Sequence, residues 1–142
     1  MARGLVTYLI DTSAYARIAT SSEVAAAVEP LMVEGAAAVC GVLALEVGFS
    51  ARTARDHARV SKSLAVWPWI DIEPADWVRA RDVQHRLALR GQHRAAGLAD
   101  LLTAAAAERA GAAVLHYDRD FELIAEVSGQ PTEWVVAPGS VD

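Results

Sequence analysis

The feature that most constrains this fold is a short apolar run that ends abruptly on an acid. Residues 5–10 are almost entirely apolar, which predicts a fully buried strand, and Asp11 follows them at once. Near the other end, residues 113–117 predict a second strand that leads into Asp118 and Asp120. Ligands of open α/β sheets bind just outside the carboxyl ends of the strands. These two strands are therefore expected to deliver carboxylates to one edge of a sheet.

Between these two strands, predicted helices and strands alternate. Capping residues, glycines and apolar spacing predict helices over residues 13–19, 22–34, 42–54, 74–90, 98–107 and 121–127. Further strands are predicted over residues 36–40, 67–72 and 134–136. This order is typical of an α/β protein with a central, mostly parallel sheet and helices on both faces.

Length and composition favour one domain. The chain has 142 residues, of which 54% are hydrophobic and 22% charged, and it contains no linker-like segment, so residues 1–142 are predicted to form a single domain. The longest uncharged run, residues 35–45, is too short to cross a membrane, and the first residues do not lead into a signal peptide. We therefore expect a cytoplasmic protein, with the single Cys40 as a small core residue.

Positive charge is unevenly distributed along the chain. The net charge is −5, which argues against a uniformly basic nucleic-acid binder. Nine of the 13 Lys and Arg residues nevertheless fall within residues 52–62 and 79–94. Basic helix faces of this kind are usually just solvated, but they could also flank an acidic pocket.

Four separated acids each follow a predicted strand or lie in the next helix: Asp11, Glu46, Asp100 and Asp118. Each has a purely structural alternative. Asp11 could be a plain helix N-cap, and Asp118 could be a turn residue. Glu46 could be solvated on a narrow polar face. Asp100 could simply interact favourably with the dipole of the helix in whose first turn it lies. If the helix around Glu46 is buried on most sides, however, its carboxylate needs a cation, a metal or a proton.

In a doubly wound fold, these four positions converge on one crevice. Carboxylates a few ångströms apart raise one another's pKa unless a divalent cation balances them. Oxygen ligands without Cys or clustered His suit Mg²⁺ or Mn²⁺, and such ions bind substrate phosphates and activate water for phosphoryl chemistry. No phosphate-cradling glycine loop or Ser/His/Asp set stands out, and His116, in a predicted strand, is expected to be packed.

Four segments carry a resemblance to a known family. They are Leu9-Ile10-Asp11-Thr12-Ser13-Ala14, Leu45-Glu46-Val47, Gly97-Leu98-Ala99-Asp100-Leu101-Leu102 and His116-Tyr117-Asp118-Arg119-Asp120-Phe121. In this order and spacing, the chain resembles the PIN-domain ribonuclease toxins of the VapC type from about residue 5 to residue 136.

The resemblance implies a PIN-like α/β fold, a homodimer, inhibition by a VapB-like antitoxin, and Mg²⁺- or Mn²⁺-dependent cleavage of RNA. It implies that Asp11, Glu46, Asp100 and Asp118 are catalytic, with Asp11, Asp100 and Asp118 as metal ligands. Ser13 would support the site, and Asp120 would be an occasional fifth acid. The residues expected to contact the RNA backbone are Arg55, Arg59, Arg90, His93 and Arg94.

Two other functions are compatible with parts of this pattern. A catalytically silent module could use the same fold to bind RNA or a protein, although a disused site has no reason to keep like charges together. A phosphatase of the haloacid dehalogenase type also places an acid after its first strand. That chemistry needs a second Asp two positions later, where this chain has Ser13.

Overall fold

A computed structural model describes residues 5–142, so residues 1–4 of the predicted domain lie outside the described residues. The elements in chain order are β1 (Tyr8–Ile10), α1 (Thr12–Tyr15), α2 (Ser22–Glu34), β2 (Ala37–Ala38), α3 (Gly41–Phe49), α4 (Ala54–Leu64), α5 (Pro74–Leu89), α6 (Leu98–Arg109), β3 (Ala113–His116), α7 (Asp120–Ser128) and β4 (Thr132–Trp134). Among the described residues, every helix is too short or insufficiently apolar to cross a membrane.

The four strands form one parallel sheet in the order β2-β1-β3-β4. β1 is therefore an inner strand, with Leu9 opposite Ala38 on one side and Val114 on the other. The backbone N–H of Asp11 extends this pairing by donating to the carbonyl oxygen of Leu115 at 2.9 Å. The residues that follow β1 and β3 consequently leave the sheet side by side at the same edge.

Side chains alternate between the two faces of the sheet, and each face has its own apolar cluster. Leu9 and Val114 pack against α5, α6 and α7, together with buried Cys40, as expected for a small core residue. Ile10 and Leu115 point to the opposite cluster, which contains residues of α1, α2, α3 and α4. This arrangement confirms the predicted α/β fold with helices on both faces.

α6 is the most deeply buried helix, because four successive alanines let it lie close to the sheet. Ala104, Ala105, Ala106 and Ala107 are all buried. The helix leads into β3 at its carboxyl end, so its first turn lies near the edge where the parallel strands end. Asp100, in that first turn, is thereby carried to the edge where β1 and β3 end.

The predicted strand over residues 67–72 is wrong. Only an isolated bridge joins Val39 to Trp69, through Val39 N–H donating to Pro68 O and Ile70 N–H donating to Val39 O, both at 2.9 Å. Pro68 has no backbone N–H, so the ladder cannot continue through it. The segment therefore crosses the sheet edge without joining it as a strand.

The predicted helices over residues 42–54 and 13–19 also differ from the structure. α3 ends at Phe49, and a separate α4 begins after Thr53, whose side chain accepts a hydrogen bond from the backbone of Asp56 at 3.1 Å. A hydroxyl residue three positions before an acid is a helix-start signal, and it restarts the helix here. α1 stops at Tyr15, and hydrogen-bonded turns replace its expected second half.

A buried ion pair joins the start of α5 to the end of α6. Asp76 is only 1% exposed, and its carboxylate accepts from Arg109 Nε at 2.9 Å and from the backbone N–H of Glu73 at 2.8 Å. Arg109 also pairs with the Glu73 carboxylate at 2.7 Å. This contact fixes the position of α6, and with it the position of Asp100.

Candidate functional site

Asp11 lies where β1 ends and α1 begins, and it is 5% exposed. Its Oδ2 accepts hydrogen bonds from the backbone N–H of Ser13 at 2.9 Å and from Ser13 Oγ at 2.6 Å. Asp11 is thus the helix cap that the structural alternative predicted. Because both of these bonds fall on one carboxylate oxygen, capping is compatible with a second role for the other oxygen.

Ser13 connects the ends of the two inner strands. Its Oγ donates to Asp11 and accepts from the backbone N–H of Tyr117 at 2.9 Å. Arg17 supports this connection by donating to the Ser13 carbonyl oxygen at 2.6 Å and by lying 4.6 Å from the centroid of the Tyr117 ring. The position of Asp11 relative to β3 is therefore fixed by side chains as well as by the sheet.

Three carboxylates meet at this edge of the sheet, and we call them the acidic cluster: Asp100, Asp118 and Asp120. Each offers an oxygen, and these oxygens all lie within 4.8 Å of one another. Asp100 comes from the first turn of α6, Asp118 from the turn after β3, and Asp120 from the start of α7. The spacing is suitable for one shared cation.

The turn between β3 and α7 is held by hydrogen bonds from each of its acids. The backbone N–H of Asp120 donates to Asp118 Oδ1 at 2.9 Å, which is the turn role expected as an alternative for Asp118. The backbone N–H of Asp118 donates to Nδ1 of His116 at 3.2 Å. Across the cluster, the N–H of Gly97 donates to Asp120 Oδ2 at 3.3 Å.

Gly97 leaves room for the acidic cluster. Its φ of −67° is accessible to any residue, so the backbone conformation does not require glycine. A Cβ at this position would lie 3.2 Å from Oδ2 of Asp100 and 3.9 Å from Oδ2 of Asp120. The absence of a side chain here therefore keeps space in front of two carboxylates of the cluster.

Burial and mutual repulsion hold a proton at this site. Burial, followed by the charges of Asp11, Asp118 and Asp120, raises the pKa of Asp100 to about 8. Burial also raises the pKa of Asp11, and the Glu46 charge adds to this effect while the hydrogen bonds from Ser13 oppose it. A divalent cation would remove both penalties, and a cluster of carboxylate oxygens fits a hard ion such as Mg²⁺ or Mn²⁺.

Glu46 lies at the rim of the site rather than in the acidic cluster. The helix is not buried on most sides, since Leu45 and Phe49 are 78% and 90% exposed and Glu46 is itself exposed, as the solvated alternative for Glu46 predicted. Thr12 Oγ donates to Glu46 Oε1 at 2.7 Å. Thr12 is thus a site residue that the sequence did not single out, although it directly follows Asp11.

The structure brings the predicted acids to one edge of the sheet, but the acids that lie closest together are not the predicted four. Asp120, expected as an occasional fifth acid, belongs to the closely spaced group, whereas Asp11 lies beside it and interacts with Asp100 through its charge. The Asp-x-Asp spacing at the start of α7 could have indicated this, because residues two apart in a helix-initiating turn can both face its N-terminus.

The residues predicted to contact RNA are all exposed. Arg55 and Arg59 lie on α4, and Arg59 pairs with Asp56 at 3.6 Å. Arg90 ends α5 and pairs with Glu126 at 3.1 Å, while His93 and Arg94 lie between α5 and α6. Their exposure is compatible with RNA contact, which stays a prediction.

Sequence comparison identifies the family. A family model of the PIN domain matches residues 8–127, a range that includes β1, α7 except its last residue, and every acid described above. The chain belongs to the PIN-domain family. Similarity to ribonuclease VapC21 of Mycobacterium tuberculosis places the chain among the VapC members of this family. The two are 43% identical over 94% of this chain and 96% of the relative. Ribonuclease VapC51 of the same species is 44% identical over 95% of this chain and 97% of the relative.

Solved structures agree with this PIN-domain assignment at the level of the fold. The VapBC complex of Salmonella typhimurium bound to DNA contains a chain that superimposes with a TM-score of 0.76 and 16% identity. The match covers 93% of this chain and 100% of that chain. The alternating strands and helices therefore belong to a PIN fold and not to that of a haloacid dehalogenase phosphatase.

Proposed function

We propose that this PIN-domain protein is a divalent-metal-dependent endoribonuclease and the toxin of a VapBC-type pair, acting on RNA in the cytoplasm. The observation that carries the proposal is the acidic cluster, whose three carboxylates offer oxygens within 4.8 Å of one another. Burial, followed by the charges of Asp11, Asp118 and Asp120, raises the pKa of Asp100 to about 8. Like charges at this spacing call for a cation, and oxygen-only donors favour Mg²⁺ or Mn²⁺. Residues 1–142 are taken as one domain, supported by the single sheet and by the family match.

In this proposal, Asp100 and Asp118 hold the ion, with Asp120 beside them and Asp11 completing the site. When bound, the ion polarises the phosphodiester and activates the attacking water. Ser13 keeps the carboxylate of Asp11 in one orientation through its 2.6 Å hydrogen bond.

Glu46 has a different proposed role. Thr12 holds its carboxylate at the rim, where it can orient a water molecule or assist a second ion. Its exposure to solvent makes it the one catalytic acid of the predicted four that incoming RNA meets first.

The proposed substrate is single-stranded or looped RNA, because only there can bases be splayed for reading. The basic residues on α4 and between α5 and α6 would contact the phosphate backbone, which positions the strand without selecting its sequence. These residues are Arg55, Arg59, Arg90, His93 and Arg94.

The proposed protein partners are a VapB-like antitoxin and a second copy of this chain. Support comes from relatives that are named as VapC ribonucleases and from a VapBC complex with the same fold. Copurification of the toxin with the product of an adjacent small gene tests the first, and light scattering of the purified toxin tests the second.

Cleavage of a structured RNA with and without Mn²⁺ tests the activity. Asp11→Asn and Asp100→Asn should each lose Mn²⁺-dependent cleavage while keeping the wild-type circular dichroism spectrum. Glu29→Gln, an exposed acid on α2 outside the site, is the matched control and should cleave normally.

Full cleavage by either site variant would contradict the proposal. Calorimetry adds an independent readout, because a silent binding module would bind no Mn²⁺. Sequencing the 5′ ends of cellular RNA after brief induction would then identify the cut site.

A further inference from the structure

A buried imidazole lies directly beneath the turn that carries Asp118 and Asp120. His116 is the last residue of β3 and is 0% exposed. Its Nδ1 accepts a hydrogen bond from the backbone N–H of Asp118 at 3.2 Å. A ring nitrogen that accepts carries no proton, so the neutral ring has its hydrogen on Nε2.

Aromatic neighbours fix the orientation of this ring. The centroids of Phe121 and Trp134 each lie 4.9 Å from the centroid of His116, with interplanar angles of 32° and 54°. Trp134 is held in turn by its Nε1, which donates to Glu122 Oε1 at 2.8 Å. Rotation of the imidazole would require both neighbours to move, so Nδ1 stays directed at Asp118.

The other ring nitrogen suggests why this residue is a histidine. Nε2 of His116 has no hydrogen-bond partner within residues 5–142. A buried N–H without a partner costs stability, and an apolar side chain of similar size would avoid that cost. What the imidazole adds over such a side chain is the acceptor at Nδ1.

Hydrogen bonds continue from this acceptor through the acidic cluster. His116 fixes the backbone of Asp118, and Asp118 Oδ1 accepts from the backbone of Asp120 at 2.9 Å. Asp120 Oδ2 then accepts from the backbone of Gly97, the residue before α6. One buried ring is therefore linked, through consecutive hydrogen bonds, to two carboxylates of the acidic cluster and to the residue before α6.

We propose that His116 is a positioning residue of the acidic cluster, whose Nδ1 holds the Asp118 backbone so that Asp118 and Asp120 face the divalent ion. The inference rests on the proposed function, since the ion is the one proposed there. Groups that orient metal ligands commonly change metal affinity on the order of tenfold or more when they are removed.

Two substitutions separate positioning from packing. His116→Leu keeps a similar volume and removes both the acceptor and the unpaired N–H. His116→Asn restores an acceptor oxygen near the place of Nδ1 but leaves part of the ring volume empty. Thermal unfolding and calorimetric titration with Mn²⁺ are measured on the full chain of each variant.

Positioning predicts opposite effects on the two measurements. His116→Leu should unfold at the wild-type temperature or above it but bind Mn²⁺ roughly tenfold more weakly. His116→Asn should unfold at a lower temperature yet keep a Kd for Mn²⁺ close to that of the wild type. If His116→Leu does not fold, His116→Phe, which keeps a ring between Phe121 and Trp134 but has no acceptor, replaces it.

Wild-type Mn²⁺ affinity in the acceptor-free variant would overturn the inference, as would an affinity that simply follows thermal stability across the series. Absence of Mn²⁺ binding by the unsubstituted protein would instead refute the proposed function, and the role of His116 with it. Binding by the wild type and equal binding by His116→Leu would refute the role of His116 alone.

Discussion

The protonation of Asp100 should make the stability of the metal-free protein depend on pH. Its pKa is about 8 in the folded state, against 3.8 when unperturbed, so the folded state binds a proton that the unfolded chain has lost. The free energy of unfolding should therefore fall as pH rises through this range. Chemical denaturation in the presence of a chelator measures it.

A second buried group limits the useful pH window. Burial lowers the pKa of His116 to about 4 from 6.5, so its protonation in the unfolded chain makes stability fall as pH decreases below 6.5. As pH rises from 6.5 to 8, His116 is neutral in the folded state and loses its remaining proton in the unfolded chain, so Asp100 increasingly dominates the pH dependence. Asp100→Asn should flatten the profile in this window, and an unchanged slope in that variant would contradict the assignment.

Gly97→Ala should weaken metal binding with little change in stability. The φ of Gly97 suits alanine, but the new Cβ would lie 3.2 Å from Asp100 Oδ2 and would displace that carboxylate. We expect Mn²⁺ affinity to fall on the order of tenfold, and the free energy of unfolding to change by less than about 1 kcal/mol. Gly41→Ala, which meets nothing within 4 Å, should leave calorimetric Mn²⁺ binding unchanged. Equal affinities for the two variants would contradict the role of Gly97.

Residue type and position predicted the acids at the strand ends but not their grouping. Asp11 and Asp118 were identifiable because each interrupts or follows an apolar run. The outward position of Glu46 depends on which side of α3 packs against the sheet, and the apolar residues around it left both a buried and a solvated position open. The membership of Asp120 in the cluster depends on a turn whose hydrogen bonds reach back to His116 and across to Gly97, and local sequence does not specify these contacts.

Among the elements, the contact between α5 and α6 should contribute strongly to stability. Arg109→Ala would leave the buried carboxylate of Asp76 without its cation, at a cost of about 3 kcal/mol in the free energy of unfolding. Arg90→Ala breaks an exposed pair with Glu126 and should cost less than about 1 kcal/mol. Urea unfolding compares them, and similar losses would show that burial of Asp76 does not matter.

Helix and strand positions were predictable where local signals agreed with the packing. α2 and α5 match their predicted ranges because their caps and apolar spacing coincide with a buried face. The segment around Pro68 has the apolar and aromatic composition of a strand, but the missing N–H of Pro68 limits its pairing to the single bridge with Val39. The break before α4 follows from the Thr53 cap, a local signal that the continuous helical propensity of residues 42–54 concealed.

At the scale of the whole molecule, the distribution of positive charge should control RNA affinity. Asp100→Asn should abolish cleavage on the proposed function, and in that background Arg55→Ala and Arg94→Ala should each weaken RNA binding and reduce the salt dependence of log K by about 0.7 per lost phosphate contact. Fluorescence polarisation with a single-stranded RNA at several salt concentrations measures this.

The control variant is at Arg86, which lies with Arg94 in the basic segment of residues 79–94. Arg86 is exposed and pairs with Asp82 at 3.2 Å, and it is not among the predicted RNA contacts. Arg86→Ala should leave the salt slope unchanged. A slope equal to that of the control in both test variants would show that the basic faces are merely solvated.

The meeting of distant acids was predictable from topology, because strands of a parallel sheet end at one edge. The strand order was not, since nothing local to β1 specifies that β3 pairs beside it. That pairing depends on the alternation of side chains between the two apolar clusters and on the close fit of the alanines of α6.

The inner position of β1 also affects when the protein becomes active. Every residue of β1 pairs with β3, and Ser13 reaches a hydrogen-bond partner 104 positions further along the chain. A ribosome therefore releases Asp11 long before it releases Asp100, Asp118 or Asp120. On the proposed function, the growing chain therefore has no complete acidic site until Asp120 has left the ribosome.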